Sequence, residues 1–560
     1  MRLCYLAIVV AALADDTDWT PRDLDDATLR LIRHASPFQP SEKAKLSQLP
    51  ARFSRCATQL AYFDVYDPEA CGHKRAASCG DDHWPSVSVV LPHRGRESTT
   101  ARALASVLAS FRLYCGSGEV VLARDGPALD ETAAKRLTHL VERVSSHWED
   151  VEVVETTPRA MASGYGDAVA TGCRRATGDY VLLLNNDVTL APLTLRVLAA
   201  HLNARKSTAA VGARLVDEHG DLQEAGAVVF KDGGALQFSK IWGSSNPLFR
   251  YVRRVDYASA ACLMVRSLLL AGGFDEVFRP AYYEDTDLAM RLRHAHGKAV
   301  DYNPFAVAVH EGSMTYSGDR AAEKERQMDR NRDTFVRKWS SQLTCHYTAH
   351  VPWASRGAFL LATRQSLLRV LVLDHDTPCA ARDSGSVRML NFIRVLLGRR
   401  HHVTFAGVES DADDACALQL QALGAHVTSA GLLKFRSLSM KCDYDLVVAS
   451  RRSVAKAWLP LLRAVCPEAP VVFDTVDLHF LREIREVSVA KGYEYDASLS
   501  ASENARNLIA KYPNLQSTKT WRSYEEGYTT ELQVMNASDA TIVVSGVERR
   551  ELEALKQSGE

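Results

Sequence analysis

Apolar residues in this chain come in short continuous runs, separated by stretches with helical spacing. Ser86–Leu91 closed by Pro92, Glu119–Ala123 stopped at Asp125-Gly126, Val151–Val154 and Tyr180–Leu184 each read as a buried strand. Leu104, Val107, Leu108 and Phe111 recur at i, i+3, i+4, i+7, which predicts an amphipathic helix with Ser98 as its cap. Leu137, Leu140, Val141 and Val144 signal a second helix, and Gly164–Ala176 a third. Strands alternating with helices predict βαβ units, hence an α/β domain on a largely parallel sheet. Farther on, Val255–Val265 is an apolar run with small residues at its centre, suited to a strand that a ligand approaches closely. The βα pattern then restarts. Val370–Asp374, His402–Phe405, Asp445–Ala449, Val471–Asp474 and Ala540–Ser545 predict a second Rossmann-like α/β layer, with a helix over Val387–Leu397.

The polar tips of these strands carry the candidate chemistry. Pro92-His93-Arg94, Arg124-Asp125-Gly126 and Asn185-Asn186-Asp187 leave carboxyl ends of strands, and in open α/β sheets the crevice outside those ends is where ligands bind. Asp187, with an amide two residues earlier, suits a hard divalent cation and the diphosphate that completes its shell. Asp125 is able to accept the imino proton of a pyrimidine base. Simple turn formation is the competing reading for both. Glu284 and Asp285 fall at the first turn of a helix that includes Arg291 and Arg293, where the helix dipole favours ionised carboxylates. Facing a cleft, such a carboxylate can take a proton from an attacking hydroxyl; the bland alternative is an acidic turn on a surface helix with Asp287 and Arg291 paired at i, i+4. His310 ends a further strand, Val307–His310.

Length and composition bound the rest. A chain of 560 residues has room for about three or four domains. Its 67 basic and 68 acidic side chains nearly cancel, which argues against a nucleic-acid partner. Residues 1–14 carry an apolar run, Leu3–Ala14, ending in Ala12-Leu13-Ala14, the pattern of a cleaved secretory signal and hence of a secreted or Golgi-luminal protein. Residues 15–85 read as a stem with a helix over Leu24–Ile32, 86–345 as the first domain, 346–367 as a linker and 368–560 as the second domain. Of the 12 cysteines, Cys4 leaves with the signal, and the odd remainder leaves at least one unpaired; Cys56, Cys71 and Cys79 cluster where a disulfide can form. Asn536-Ala-Ser538 is a glycosylation sequon.

Taken together, Val87–Pro92, Asp125-Gly126, Gly178–Asp187, Gly272-Gly-Phe-Asp275, Glu284–Leu288 and His310–Ser313 resemble, in order and spacing, glycosyltransferase family 2. The resemblance covers 86–345. It implies a GT-A fold and inverting transfer from a nucleotide-diphosphate sugar donor to a glycan or other hydroxyl acceptor. Pro92 and Asp125 would contact the nucleoside, and Asn185-Asn186-Asp187 takes the place of the family's Asp-x-Asp. It further implies Asp187 and His310 as ligands of a divalent Mn or Mg ion, Asp285 as general base and Glu284 as its neighbour. Arg124, Pro127, Asn185 and the asparagine-poor Gly164–Ala170 segment depart from the family's usual residues. The second domain is similar to the N-terminal half of family 4 transferases of GT-B fold. The sequence stops at Glu560, where a donor-binding half would begin, so this module is expected not to transfer by itself: either it binds an acceptor glycan or the sequence is a fragment of a longer tandem protein.

Two other classes compete. A non-catalytic glycan- or nucleotide-binding scaffold built on transferase folds fits Asn185 and the partial second module. A nucleotidyltransferase calls for a Gly-rich basic phosphate loop, and Pro92–Arg96 has a single glycine.

Overall fold

The computed structural model describes residues 84–93, 97–111, 113–126, 135, 151–156, 164–239, 246–270, 273–311, 321–348, 355–409, 415–429 and 442–558. The signal, the stem helix, the helix predicted over 137–144, Cys56, Cys71, Cys79, Gly272 and Ser313 lie outside these residues. The described chain forms two compact units, one up to Gln365 and one from Ser366 onward.

In the first unit, β1 (Val87–His93), β2 (Gly118–Arg124), β3 (Val151–Glu155) and β4 (Tyr180–Leu184) pair in parallel, in the order β3-β2-β1-β4. Their runs are apolar on both faces because helices cover both sides of the sheet. Helix α1 (Glu97–Phe111) follows β1; it opens one residue ahead of the predicted cap, so Ser98 lies inside the helix. Helix α2 (Tyr165–Arg175) precedes β4 and supplies Val169 to the core.

Beyond β4 the sheet turns mixed. After β5 (Val188–Leu190) and α3 (Thr194–Ala204) come β6 (Thr208–Val216), β7 (Leu222–Glu224), β8 (Ala227–Val229), β9 (Ala235–Gln237), β10 (Arg253–Arg254) and β11 (Cys262–Arg266). Strand β11 runs antiparallel between β4 and β6, and β12 (Ala299–His310) runs parallel to β6 and antiparallel to β5. Of the predicted apolar strand over 255–265, Cys262–Val265 enters β11 and Tyr257 makes an isolated bridge to Ala227; the N–H groups of Ser259 and Ala260, between them, donate to side-chain carboxyls.

Helix α4 (Glu284–His294) carries the acidic turn. Its Asp287 is fully buried rather than paired on a surface: Arg291 Nε (3.1 Å), Lys338 Nζ (2.7 Å) and Trp339 Nε1 (2.8 Å) surround it, the last two from α5 (Ala321–Leu343). Of the segment read as a linker, residues 355–365 are packed structure. Helix α6 (Ser355–Thr363) places Ala358 and Leu361 in the core, and Arg364 and Gln365 close on buried Asp256.

The second unit is a parallel sheet of six strands: β13 (Arg369–Asp374), β14 (His402–Gly407), β15 (His426–Ser429), β16 (Leu446–Ser450), β17 (Val471–Asp474) and β18 (Ala540–Ile542), ordered β15-β14-β13-β16-β17-β18. This is the doubly wound order, with its switch point between β13 and β16. The predicted helix after β13 is α7 (Ser384–Gly398), capped by Asp383. Disulfides join Cys379 to Cys416 and Cys442 to Cys466. Asn536 is exposed in the last turn of the helix Lys519–Ala537.

Asp256 is the electrostatic pin of the first unit. It accepts from Val229 N–H (2.8 Å) and Gln365 Nε2 (2.7 Å) and pairs with Arg293 (3.1 Å) and Arg364. Burial pushes its pKa up, but Arg364 and Arg293 outweigh burial and hold the carboxyl below its ordinary value. Replacing it by alanine leaves two guanidinium groups without their buried anion, so Asp256→Ala is expected to cost about 3–5 kcal/mol in urea unfolding. A carboxyl lowered by folding stabilises above its unfolded pKa, and that stability is lost as pH falls through the folded value. The wild-type unfolding midpoint should therefore drop on acidification more steeply than that of Asp256→Asn.

Candidate active site

The crevice is assembled from strand ends and one acidic helix turn. Asp125 follows β2; its N–H bonds His93 O at 2.9 Å, and its Oδ1 accepts the N–H of Gly164 at 3.2 Å. Pro92 is buried in β1 opposite Ala123. Gly164 has φ 103° and ψ 173°, a region open essentially to glycine, and a Cβ there would meet Pro280 O at 2.6 Å. Asn185, Asn186 and Asp187 turn off the end of β4. Asn186 Nδ2 donates to Thr100 Oγ1 (3.2 Å), and the Asn185 N–H donates to Ala261 O (3.0 Å). Asn185 Oδ1 is buried without a protein partner.

His310, at the end of β12, reaches Asp187: Nε2 lies 3.4 Å from Oδ1. Gln223 fixes the ring from behind. Its Nε2 donates to His310 O at 2.9 Å, which turns its Oε1 toward Nδ1 at 3.0 Å. With Nδ1 engaged by Gln223, Nε2 is the ring nitrogen turned toward the carboxylate. One imidazole nitrogen and one carboxylate oxygen side by side are a donor pair suited to Mn. The next residue, Glu311, donates its N–H to Asp187 O (3.0 Å) and pairs with Arg102 of α1.

On the other side, Asp285 is held at the start of α4. Its Oδ1 accepts from Thr286 N–H (2.7 Å) and Thr286 Oγ1 (3.2 Å), and its Oδ2 accepts from Ala260 N–H (3.3 Å). The turn before it is strained: Tyr282 and Tyr283 have φ of 76° and 71°. Such conformations cost about 1–3 kcal/mol each unless the surroundings hold them. Asn331 of α5 does so, its Nδ2 donating to Phe278 O, Ala281 O and Tyr282 O at 2.8–3.0 Å. Burial raises the pKa of Asp285, and burial followed by the charge of Asp285 pushes Glu284 up to about 8. Glu284 Oε2 is buried with no protein partner.

The two sides meet at Tyr165. Its hydroxyl donates to Ala260 O (3.2 Å), its ring stacks on Phe274, and its pKa is raised first by burial and then by Glu284, Asp285 and Asp187 among the nearby charges. The predicted residues from β4, α4 and β12 therefore share one neighbourhood. Gln223, Glu224 and Tyr165 are the parts that sequence reading missed, since their residue types give no local signal of a site; the small residues at 258–261 did signal a close approach, though not the hydrogen bonds their backbone makes.

Residues 88–270 match the model of glycosyl transferase family 2. The match spans about a third of the chain, and over that stretch the chain is similar to this family. Among curated proteins, it is similar to an uncharacterized protein, y4gI, of Sinorhizobium fredii, 25% identical over 264 residues covering 46% of this chain and 28% of that protein. It is also similar to the O-antigen biosynthesis protein RfbC of Myxococcus xanthus, 28% identical over 251 residues covering 43% of this chain and 18% of that protein. The chain thus matches less than a third of the length of these relatives. Similar solved structures include GalNAc-T7 with UDP, GalNAc and Mn2+ (14% identity, TM-score 0.34, 55% of this chain and 67% of that one). Another is the mannosyltransferase PcManGT of Pyrobaculum calidifontis with GDP-Man and Mn2+ (16% identity, TM-score 0.32, 65% and 90%). The α/β fold with its Rossmann-like sheet agrees with the GT-A expectation for the family 2 domain.

Gly164 tests how tightly this crevice is built. Gly164→Ala forces a Cβ into Pro280 O and leaves a glycine-only conformation strained, so a loss of about 1–3 kcal/mol in denaturant unfolding is expected.

Proposed function

We propose that the family 2 domain transfers a sugar, with inversion, from a nucleotide-diphosphate sugar to a hydroxyl of a glycan or other acceptor. What carries this reading is the meeting of two acidic groups with different surroundings around Tyr165: Asp187 beside His310, and Asp285 beside Glu284. A divalent Mn or Mg ion held by Asp187 and His310 would supply positive charge against the diphosphate that leaves. Asp125 and Pro92 bind the nucleoside, Asn185 and Asn186 shape the turn that carries Asp187, and the Gln223 amide keeps His310 Nε2 aimed at Asp187. Asp285 takes the proton of the acceptor hydroxyl as it attacks the anomeric carbon from the face opposite the diphosphate. Glu284, protonated near neutral pH, adds no second negative charge beside the base. The second unit binds acceptor glycan in this proposal. Export through the secretory route belongs to it too, supported by the two disulfides of that unit, since such bonds persist in oxidising compartments.

A scaffold that recognises nucleotides without turnover is the competing reading, favoured by Asn185 in place of the usual aspartate. A hydrolysis screen of the purified chain against UDP-, GDP- and dTDP-sugars with Mn2+ or Mg2+ separates the two. Turnover of a donor supports the transferase; metal-dependent binding with no turnover of any donor sinks it.

Within that screen, Asp285→Asn is expected to leave nucleotide affinity within about twofold and lower kcat by at least about 100-fold, the range of general-base loss. Wild-type activity in that variant rejects the role. Asp187→Ala should abolish the Mn2+-dependent part of nucleoside diphosphate affinity in calorimetry, and Gln223→Ala should weaken it about 10-fold or more, as loss of a partner behind a ligand does. The base must be ionised to work, and its pKa is raised. The rate should therefore fall as pH drops through that raised value, placing the acid limb of kcat/KM above the ordinary aspartate value of about 3.9.

A further inference from the structure

Three successive residues ahead of β11 each fasten a different part of the crevice. Ser259 gives its N–H to Glu224 Oε1 at 2.8 Å. Ala260 gives its N–H to Asp285 Oδ2 at 3.3 Å and receives the Tyr165 hydroxyl on its carbonyl at 3.2 Å. Ala261 receives the Asn185 N–H on its carbonyl at 3.0 Å. The ladder begins at Cys262, with the Ala261 carbonyl continuing its pairing toward β4; ahead of it the N–H groups of Ser259 and Ala260 are held by the carboxyls of Glu224 and Asp285.

Glu224 is the group that holds the first of them. It ends β7, it is buried, and its Oε2 accepts from Gln237 Nε2 of β9 at 2.8 Å. Burial, with a further contribution from Asp285, pushes its pKa up to about 8. Burying a carboxyl there is costly, and an apolar residue at this position would leave the Ser259 N–H and the Gln237 amide without their acceptor.

We infer that Glu224 is a positioning residue for Asp285: by fixing the Ser259 N–H it fixes the adjoining Ala260 N–H, which in turn holds Asp285 Oδ2 and leaves the carboxylate oriented toward the acceptor hydroxyl. This rests on the reading of Asp285 as general base. Glu224 touches neither donor nor acceptor in this scheme. Its loss should slow the proton-transfer step without weakening the nucleotide.

The experiment compares Glu224→Ala, Glu224→Gln, Asp285→Asn and the double variant Glu224→Ala/Asp285→Asn in the full chain. It uses the nucleotide sugar that the wild type hydrolyses fastest in the screen, with UDP and GDP affinities measured by calorimetry in Mn2+. Glu224→Ala should lower kcat about 10-fold or more with KM and nucleotide affinity within about twofold. Glu224→Gln, whose amide oxygen still accepts from Ser259, should recover to within about threefold of wild type. The double variant should be no slower than Asp285→Asn alone, because a residue that acts through the base has nothing left to act on. A Glu224→Ala variant with wild-type kcat overturns the inference. So does a Glu224→Gln variant as slow as the alanine one, or a double variant slower than Asp285→Asn. Where the alanine variant does not fold, Glu224→Met, which keeps the length of the side chain and removes the acceptors, takes its place in the same comparison. Full turnover in Asp285→Asn, by contrast, defeats the general-base reading itself, and a wild type that hydrolyses no donor defeats both.

Discussion

The crevice depends on a stretch of backbone with almost no side chain. Ser259–Ala261 contributes two N–H donors and two carbonyl acceptors that reach Glu224, Asp285, Tyr165 and Asn185. Backbone groups buried off a ladder must find partners elsewhere, and here those partners are the groups that line the site. Small side chains make this arrangement feasible. Ala258 packs so close to Gly212 of β6 that a Cβ on the glycine would lie 2.3 Å from the alanine Cβ, so the turn sits directly on the sheet. Moving any one of the four anchors moves the other three.

Around that turn the protein concentrates negative charge. Glu224, Glu284 and Asp285 are all drawn out of water, and burial raises the pKa of each. Carboxyls so close cannot all be ionised in a low-dielectric pocket, so they titrate apart, which is how two acidic neighbours come to have different jobs. Among the described residues, three nearby arginines are already paired. Arg279 is paired with Asp167, Arg291 with Asp287 and Arg102 with Glu311. Asp187 and His310 stand apart from these pairs, side by side at the ends of β4 and β12.

The predicted elements and their departures share one cause. Runs such as Val87–Leu91, Tyr180–Leu184 and Val370–Leu373 form strands as read because they are apolar on both faces and bounded by residues that end a ladder. The run over 255–265 looked alike, yet between the isolated bridge at Tyr257 and the ladder from Cys262 the N–H groups of Ser259 and Ala260 go to side-chain carboxyls. Residues 346–367 looked like a connector since Arg364 and Gln365 are ordinary surface residues by type. Asp256, more than a hundred positions earlier, makes them part of the first unit. Asp287 misled in the opposite direction: its i, i+4 partner is real, but Lys338 and Trp339 from a distant helix bury it.

By itself, the sequence determined the alternation of strands and helices, the two α/β sheets, the strand-end positions of Asp125, Asp187 and His310, and the helix-start position of Asp285. Those follow from periodicity and from the rule that loops at carboxyl ends of parallel strands gather in one crevice. Only tertiary structure decided which way His310 faces, how buried the acidic turn of α4 is, and that Gln223 and Glu224 belong to the crevice at all. The Asp-Leu-Gln-Glu stretch reads as a polar surface turn until β6, β9 and the Ser259 turn close over it. Burial and hydrogen-bond partnership are properties of the folded surroundings, and no local pattern of residues encodes them.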